Sequence, residues 1–236
     1  RPPRSTPKPS SAASDVFKRQ AAIMLRERRG FPSTPMPPHN LAMTVAGASM
    51  LWVGWFGFNA GSALAADQSA GMAMLVTHIG AAAGSLSWMA REWMKQGKPS
   101  VLGIVTGMVA GLGTITPASG FVGPIGALII GISAGFVCYE ATQYIKKVLK
   151  IDDSLDVFPV HGVGGILGTI LTGIFASASY GGMGLDNSIG NQVFIQIIGV
   201  LFTIVWCGFF TFIILKFVDN LLGLRISDEQ EETGID

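Results

Sequence analysis

The sequence predicts an all-α integral membrane protein with six transmembrane helices. Three observations support this fold class. Only 13% of the 236 residues are charged, several long stretches carry no charge at all, and the basic residues collect at one side of the predicted topology. An average globular domain carries about 25% charged residues, so this composition is typical of a chain in contact with lipid. The formal net charge of +1 indicates no nucleic-acid partner.

The predicted spans follow from the uncharged stretches, since a spanning helix needs about 20 apolar residues. The stretch 99–139 would form one helix about twice as long as the hydrocarbon core is thick, so it must break. Residues 116–120, which read Thr-Pro-Ala-Ser-Gly, supply the turn. The six predicted spans cover residues 41–66, 69–94, 99–115, 121–146, 157–178 and 191–218.

The placement of charge predicts the orientation of these spans. All 16 Lys and Arg lie before span one, around the connections between spans two and three and spans four and five, or from the end of span six onwards. The opposite connections carry only Asp67 and Asp186 as charged residues. Because basic segments stay in the cytoplasm, we expect both termini there, in a multi-pass protein of the plasma membrane or bacterial inner membrane.

The chain divides into three parts by composition. Residues 1–27 are basic and rich in Pro and Ser, and we expect disorder over 1–14 and a short amphipathic surface helix over 17–29. Residues 28–222 form the transmembrane domain, and residues 223–236 form a cytoplasmic tail. The two cysteines, Cys138 and Cys207, lie in separate apolar stretches and are interpreted as small apolar residues rather than a disulfide.

Glycines spaced four residues apart predict close contacts between the helices, because small residues let helix backbones approach in lipid. General abundance of glycine in membrane helices is the alternative explanation. The pairs and triplets are Gly57/Gly61, Gly103/Gly107/Gly111, Gly131/Gly135 and Gly164/Gly168.

His161 is the strongest candidate for a functional residue. An ionisable side chain inside an apolar span is a functional hypothesis by default. If its helix begins at residues 153–156, His161 lies about 8–12 Å along it. An imidazole can accept a proton, pass one on, or hydrogen-bond a small polar solute. A structural hydrogen bond between helices is the alternative, and it is the interpretation we adopt for His78.

A second candidate pair lies in an aromatic cluster of span one. Phe58 and Ser62 are four residues apart and therefore share a helix face. An aromatic ring above a hydroxyl could hold a cation. The alternative is ordinary packing of Phe58, with Ser62 bonded to its own helix backbone.

The sequence contains no metal-ligand spacing, phosphate-binding loop or nucleophile–base pair. We therefore expect no enzyme activity, metal or cofactor. Three carboxylates at the start of span five, Asp152, Asp153 and Asp156, fit helix capping instead.

Segments 55–62 (Trp-Phe-Gly-Phe-Asn-Ala-Gly-Ser) and 156–165 (Asp-Val-Phe-Pro-Val-His-Gly-Val-Gly-Gly) closely resemble the Amt/Mep ammonium transporters. The resemblance covers about residues 28–236, and shorter matches at 37–40, 97–100, 116–118 and 223–225 follow in the same order. It implies an eleven-span fold, usually a trimer with one pore per subunit, built from two inverted halves. This chain resembles spans six to eleven only, so we expect it to be truncated.

The resemblance also implies roles for individual residues. His161 corresponds to the second of two pore histidines, Phe58 to one of two stacked phenylalanines that gate the outer pore, and Ser62 to the hydroxyl that recruits ammonium. The residues implied to support the pore helix are Asp153, Asp156 and Asn59. At Pro159 the family pattern has Gly, and Pro is tolerated in a first helical turn.

The tail beginning with Gly223 and Arg225 resembles a regulatory tail beneath the pores, where PII-type signalling proteins can dock. A solvated acidic tail is the alternative. The resemblance as a whole implies transport of ammonium or ammonia. Alternatives are a non-transporting fragment, a regulatory or scaffold subunit, and an Rh-type gas channel, against which the aromatic-to-serine pattern of span one argues.

Overall fold

The computed structural model describes residues 22–25, 27–28, 30–34, 36–225 and 227. The disorder predicted over 1–14, much of the helix predicted over 17–29, and the acidic end of the tail from Asp228 lie outside these residues. Within the described part, the regular secondary structure is entirely helical, and there is no strand.

Six long helices account for the described chain. A 3₁₀ turn over Thr116–Ala118 extends α3, a π-helical turn over Tyr144–Val148 extends α4, and another over Phe158–Gly162 precedes α5. With these turns, all six are long and apolar enough to cross a membrane, which confirms the predicted number of spans. The helices are α1 (Leu41–Gly61), α2 (Gln68–Gln96), α3 (Val101–Ile115), α4 (Pro124–Gln143), α5 (Val163–Phe175) and α6 (Ile189–Leu222).

Side-chain caps determine where four of these helices begin. The side chain of the residue before each helix accepts a hydrogen bond from the backbone N–H three residues further on, which satisfies a donor left unpaired by the first turn. The four capping residues are Asn40, Asp67, Ser100 and Ser188. At α4, Pro124 occupies the first turn instead, where its missing N–H costs nothing.

The helix bounds differ from the predicted spans by a few residues. The longest difference is at α1, which ends at Gly61 rather than near residue 66, because the chain turns and Leu64 adopts a positive φ of 58°. The break predicted inside the long uncharged stretch is confirmed, since the 3₁₀ turn Thr116–Ala118 and the residues after it separate α3 from α4.

Helix α2 is the centre of the fold, and glycines bring its neighbours against it. A methyl group added at Gly107 of α3 would lie 2.7 Å from the carbonyl oxygen of Gly84. One added at Gly131 of α4 would lie 2.6 Å from the carbonyl oxygen of Gly80. Such distances are shorter than a carbon–oxygen contact allows, so these backbones touch directly, as small residues in membrane helices permit.

The glycine sets predicted on α3, α4 and α5 are confirmed as close-contact positions. Gly164 and Gly168 of α5 face Thr114 of α3. The exception is the pair Gly57 and Gly61 on α1, which has nothing within 4 Å of an added methyl group among the described residues. This face of α1 is open.

Helices α1 and α6 form the outside of the bundle. Much of their length is apolar yet exposed. The buried residues are Asn59 in α1 and Gln196, Val200, Thr203 and Thr211 in α6. In water a contiguous apolar surface of this size would be a liability. Around spanning helices it fits contact with lipid or with neighbouring protein.

Candidate pore site around His161

His161 lies in the π-helical turn Phe158–Gly162 and is half-buried. The helix begins at Val157, later than the start assumed from the sequence, which places His161 about 6 Å along it rather than 8–12 Å. Asp153 sets this start, because its carboxylate accepts hydrogen bonds from the N–H groups of Val157 (3.0 Å) and Phe158 (2.7 Å). Short π-helical turns inside α-helices occur frequently at functional sites.

Trp55 of α1 lies against the His161 ring. The two rings are nearly parallel, with 10° between their planes and 6.3 Å between centroids. The indole Nε1–H donates to Thr116 Oγ1 at 2.7 Å, and that hydroxyl donates in turn to the carbonyl of Leu112 at 2.7 Å. The hydrogen bond to Thr116, which follows α3, therefore fixes the orientation of the indole ring. Trp55 was not among the candidate residues predicted from the sequence. Its position three residues before Phe58, on the same helix face, was the available signal.

Phe58 and Ser62 lie further along the same side of α1. The Phe58 ring meets Trp55 edge-on at 6.3 Å and is 60% exposed. Ser62 is exposed, and its hydroxyl donates to the Phe58 carbonyl at 2.7 Å. This hydrogen bond to its own helix backbone is the alternative to cation binding that the sequence also allowed for Ser62. The hydroxyl oxygen can still accept hydrogen bonds, because only its single proton is used.

Gly113 of α3 borders the imidazole on another side. A methyl group added there would lie 3.6 Å from His161 Nδ1, in ordinary contact with the ring. With glycine at this position, space remains beside Nδ1. Gly113 could not be predicted from the sequence, because it lies far from His161 along the chain and no motif connects the two residues.

The three supporting residues predicted from the sequence act at different places. Asp153 caps the helix of His161 directly, as described above. Asp156 pairs with Lys146, whose Nζ lies 2.8 Å from Oδ1 and 2.9 Å from Oδ2, and so ties this helix to the end of α4. Burial raises the pKa of the Asp156 carboxyl, and the Lys146 ammonium opposes that rise. Asn59 donates to Thr77 Oγ1 at 3.0 Å and so joins α1 to α2.

His78 of α2 lies against a neighbouring set of aromatic rings on α1. Its ring stacks on Trp52 with 5.1 Å between centroids and lies 5.9 Å from that of Phe56. These ring contacts join α2 to α1. The hydrogen bond between helices that the sequence led us to expect for His78 stays a prediction. Among the described residues, no group of three or more His, Cys, Asp or Glu is arranged to hold a metal ion.

The tail begins close to the segment that precedes α1. Gly223, with a φ of 75°, ends α6. The Arg225 guanidinium then donates to the carbonyls of Leu25 (3.2 Å) and Glu27 (2.8 Å). A cavity of about 470 Å³ lies at this junction and is also lined by Lys150.

Comparison with known proteins gives a consistent result. The model of the Ammonium Transporter Family matches residues 19–236. An ammonium transporter of Aquifex aeolicus is 46% identical over 211 residues, covering 89% of this chain and 49% of that protein. Ammonium transporter Amt1 of Archaeoglobus fulgidus is 45% identical over 217 residues, covering 91% of this chain and 55% of that protein.

Solved structures agree with the sequence matches. A sensor Amt protein superposes with a TM-score of 0.88 at 32% identity, covering 96% of this chain and 57% of the other. Mep2 of Saccharomyces cerevisiae gives 0.82 at 34% identity, covering 95% and 56%. The chain thus spans about half the length of the relatives that it matches. Both its sequence and its helical fold show that this chain belongs to the Ammonium Transporter Family.

Proposed function

We propose that this protein takes part in moving ammonium or ammonia across a membrane and that His161 is a pore residue. The observation that carries this proposal is the placement of the His161 ring, held parallel to Trp55 inside an otherwise apolar span. The membership of the family and the names of the relatives, which are ammonium transporters, support the substrate.

The chemistry of ammonium fits these residues. The ion is close to potassium in size but can donate hydrogen bonds and lose a proton. A narrow apolar path makes an unaccompanied charge costly. The Ser62 oxygen can accept a hydrogen bond from the ion, and the exposed Phe58 ring can attract it by a cation–π interaction. The His161 imidazole, with space beside Nδ1, can then accept a proton or a hydrogen bond deeper in the span.

The described residues supply one wall of such a path. Phe58 and Ser62 are exposed, and the face of α1 that carries Gly57 is open. We propose that a second wall covers these residues in the active transporter, in line with the inverted halves of this family. On this view the 236 residues alone act at most as a non-conducting or regulatory unit, and completion of the path restores conduction.

The same proposal includes the assembly and its regulation. The active form is a homotrimer with both termini of this chain in the cytoplasm, as the distribution of basic residues predicts. The tail from Gly223 acts in regulation, with a PII-type protein as its partner. The hydrogen bonds from Arg225 to the segment before α1 support a regulatory link between the tail and the cytoplasmic surface.

Uptake of ammonium by cells that lack their own ammonium transporters tests the proposal. One culture expresses the 236-residue chain, and another expresses a chimera in which the part of the Archaeoglobus relative that this chain does not match completes it. Membrane insertion is verified in both. We expect uptake by the chimera and none above background by the chain alone. No uptake by an assembled chimera would contradict the proposed transport, and His161-dependent uptake by the chain alone would contradict the need for a second wall.

A further inference from the structure

We infer that Cys138 is a positioning residue for His161, holding the π-helical turn that carries the imidazole. The inference rests on the proposed function, because it assigns a role in the same pore. Cys138 lies on α4 and is fully buried. Its Sγ lies 3.8 Å from the carbonyl oxygen of Val160, the residue that directly precedes His161, in the geometry of a thiol hydrogen bond.

The contact lies where three helices meet. Val160 and Cys138 belong to one buried cluster that also contains Ala110 of α3. A methyl group added at Gly164 would lie 2.6 Å from Thr114 Oγ1 and 3.4 Å from Cys138 Sγ. The thiol therefore lies where α3 and α4 pack against the first turns of the His161 helix. No larger side chain is accommodated at Gly164 without moving one of them.

The backbone of this turn departs from the hydrogen bonding of an α-helix. The N–H of Val163 donates to the carbonyl of Phe158, five residues earlier, rather than to a carbonyl four residues earlier. Pro159, inside the turn, has no N–H to donate. In a membrane, backbone groups that lose a helical partner must find another one. The S–H of Cys138 is a weak donor that reaches a carbonyl in this irregular segment.

The conformation of the turn determines the direction of the imidazole. Successive residues of an α-helix are rotated by about 100°, so a one-residue change from π to α register would turn His161 by about that angle. Such a rotation would move the His161 ring away from its stacked position against Trp55. By bonding the carbonyl next to His161, Cys138 favours the π register and so keeps the imidazole in the path.

The buried hydroxyl of Thr114 reinforces this arrangement. It lies beside the thiol and has no oxygen or nitrogen partner among the described residues. Its proton can be shared with Sγ, which leaves the S–H directed at Val160. Serine at position 138 keeps a donor of similar size, and alanine removes it. These two substitutions therefore separate the hydrogen bond from simple filling of space.

Infrared spectroscopy tests the hydrogen bond directly. In the 236-residue chain carrying Cys207→Ala, Cys138 is the one remaining thiol, and its S–H stretch is identified by its loss in Cys138→Ala. We expect a frequency below that of an unbonded thiol. The frequency of an unbonded thiol would overturn the inference, whatever the transport assays show.

Transport by the chimera tests the positioning role. We expect Cys138→Ala to lower the maximal rate of ammonium uptake about ten-fold and to change its pH profile, with Cys138→Ser restoring most of both. Cys207→Ala, on α6, is the matched control and should leave uptake unchanged. Unaltered rate and pH profile in an assembled Cys138→Ala chimera would overturn the inference, while failure of the unsubstituted chimera to transport would instead count against the proposed function.

Discussion

Arg28 and Asp152 are joined by three hydrogen bonds although 124 positions separate them. Oδ2 of Asp152 accepts from the backbone N–H of Arg28 at 2.9 Å and from Nε at 2.7 Å, and Oδ1 accepts from the guanidinium at 2.8 Å. Paired charged hydrogen bonds of this kind are strong and directional. The segment before α1 is thereby attached to the loop that leads into the His161 helix.

The stability contributed by this pair should depend on pH. Hydrogen bonding from Arg28 holds the pKa of the Asp152 carboxyl below its ordinary value of 3.8. A lowered pKa in the folded state contributes stability that is present above the unfolded value and lost as pH falls through the folded one. Asp152→Asn should therefore lower the melting temperature in detergent at pH 7, with a difference that shrinks below about pH 3.8. Asp186→Asn, at an exposed aspartate of the opposite loops, is the control; an equal effect at both pH values would contradict the prediction.

Removal of the cap at the start of the His161 helix should destabilise the protein. Asp153→Ala leaves the N–H groups of Val157 and Phe158 without their acceptor, at a cost of about 1 kcal/mol, as for other helix caps. Asp153→Asn retains one acceptor oxygen and should lose less. Thermal unfolding of the two variants in the same detergent measures the difference. Equal stability of Asp153→Ala and the unsubstituted chain would show that the carboxylate is dispensable.

The bond between Trp55 and Thr116 should appear as a coupling energy. Trp55→Phe keeps an aromatic ring but removes the Nε1–H donor, and Thr116→Val removes its acceptor. A double-mutant cycle should give a coupling of about 1 kcal/mol in unfolding free energy, the usual net value of one hydrogen bond. In the chimera, each single change should also alter the selectivity between ammonium and methylammonium. Additive effects in the cycle would indicate that the two residues act independently.

His161 and His78 should respond differently to substitution. His161→Ala in the chimera should change ammonium flux or selectivity without preventing assembly, because the side chain faces Trp55 and the space beside Gly113. His78→Ala removes a ring stacked between α2 and α1 and should change stability instead. Uptake rates and melting temperatures are measured for both. Unchanged flux and selectivity in His161→Ala would show that His161 contributes to packing and not to transport.

Labelling of introduced cysteines tests the topology. In a Cys207→Ala background, Gln96→Cys lies at the last residue of α2, next to the connection to α3, and Asn187→Cys lies between α5 and α6. Both positions are exposed. A membrane-impermeant thiol reagent added outside intact cells should label the Asn187→Cys variant but not the Gln96→Cys variant. Permeabilisation of the cells should then allow labelling of Gln96→Cys. Labelling of both from the outside would contradict the six-span orientation.

The sequence was sufficient to predict the fold but only part of the site. Six spans were predictable because lipid excludes charge, so the Lys and Arg mark the ends of the helices. His161 could be selected as a candidate for the same reason, as an ionisable residue among apolar ones, and its role stays a prediction. The contact of Trp55 with Thr116 was not predictable, because it depends on how α1 and α3 are rotated about their axes. The π-helical turn at Phe158 was also missed, since its hydrophobic pattern does not differ from that of an α-helix over so few residues.

The direct backbone contacts of α2 with α3 and α4 have a mechanical consequence. Where Gly107 meets Gly84, and Gly131 meets Gly80, the nearest side-chain atoms are the Cβ atoms of Trp88 and Ala83, which no change of rotamer moves. We therefore expect these three helices to move together. We expect any widening of a path to come from the helices attached to this block by side chains, above all α1, whose attachments include the Asn59 amide, the Trp55 indole and the stacked Trp52 ring.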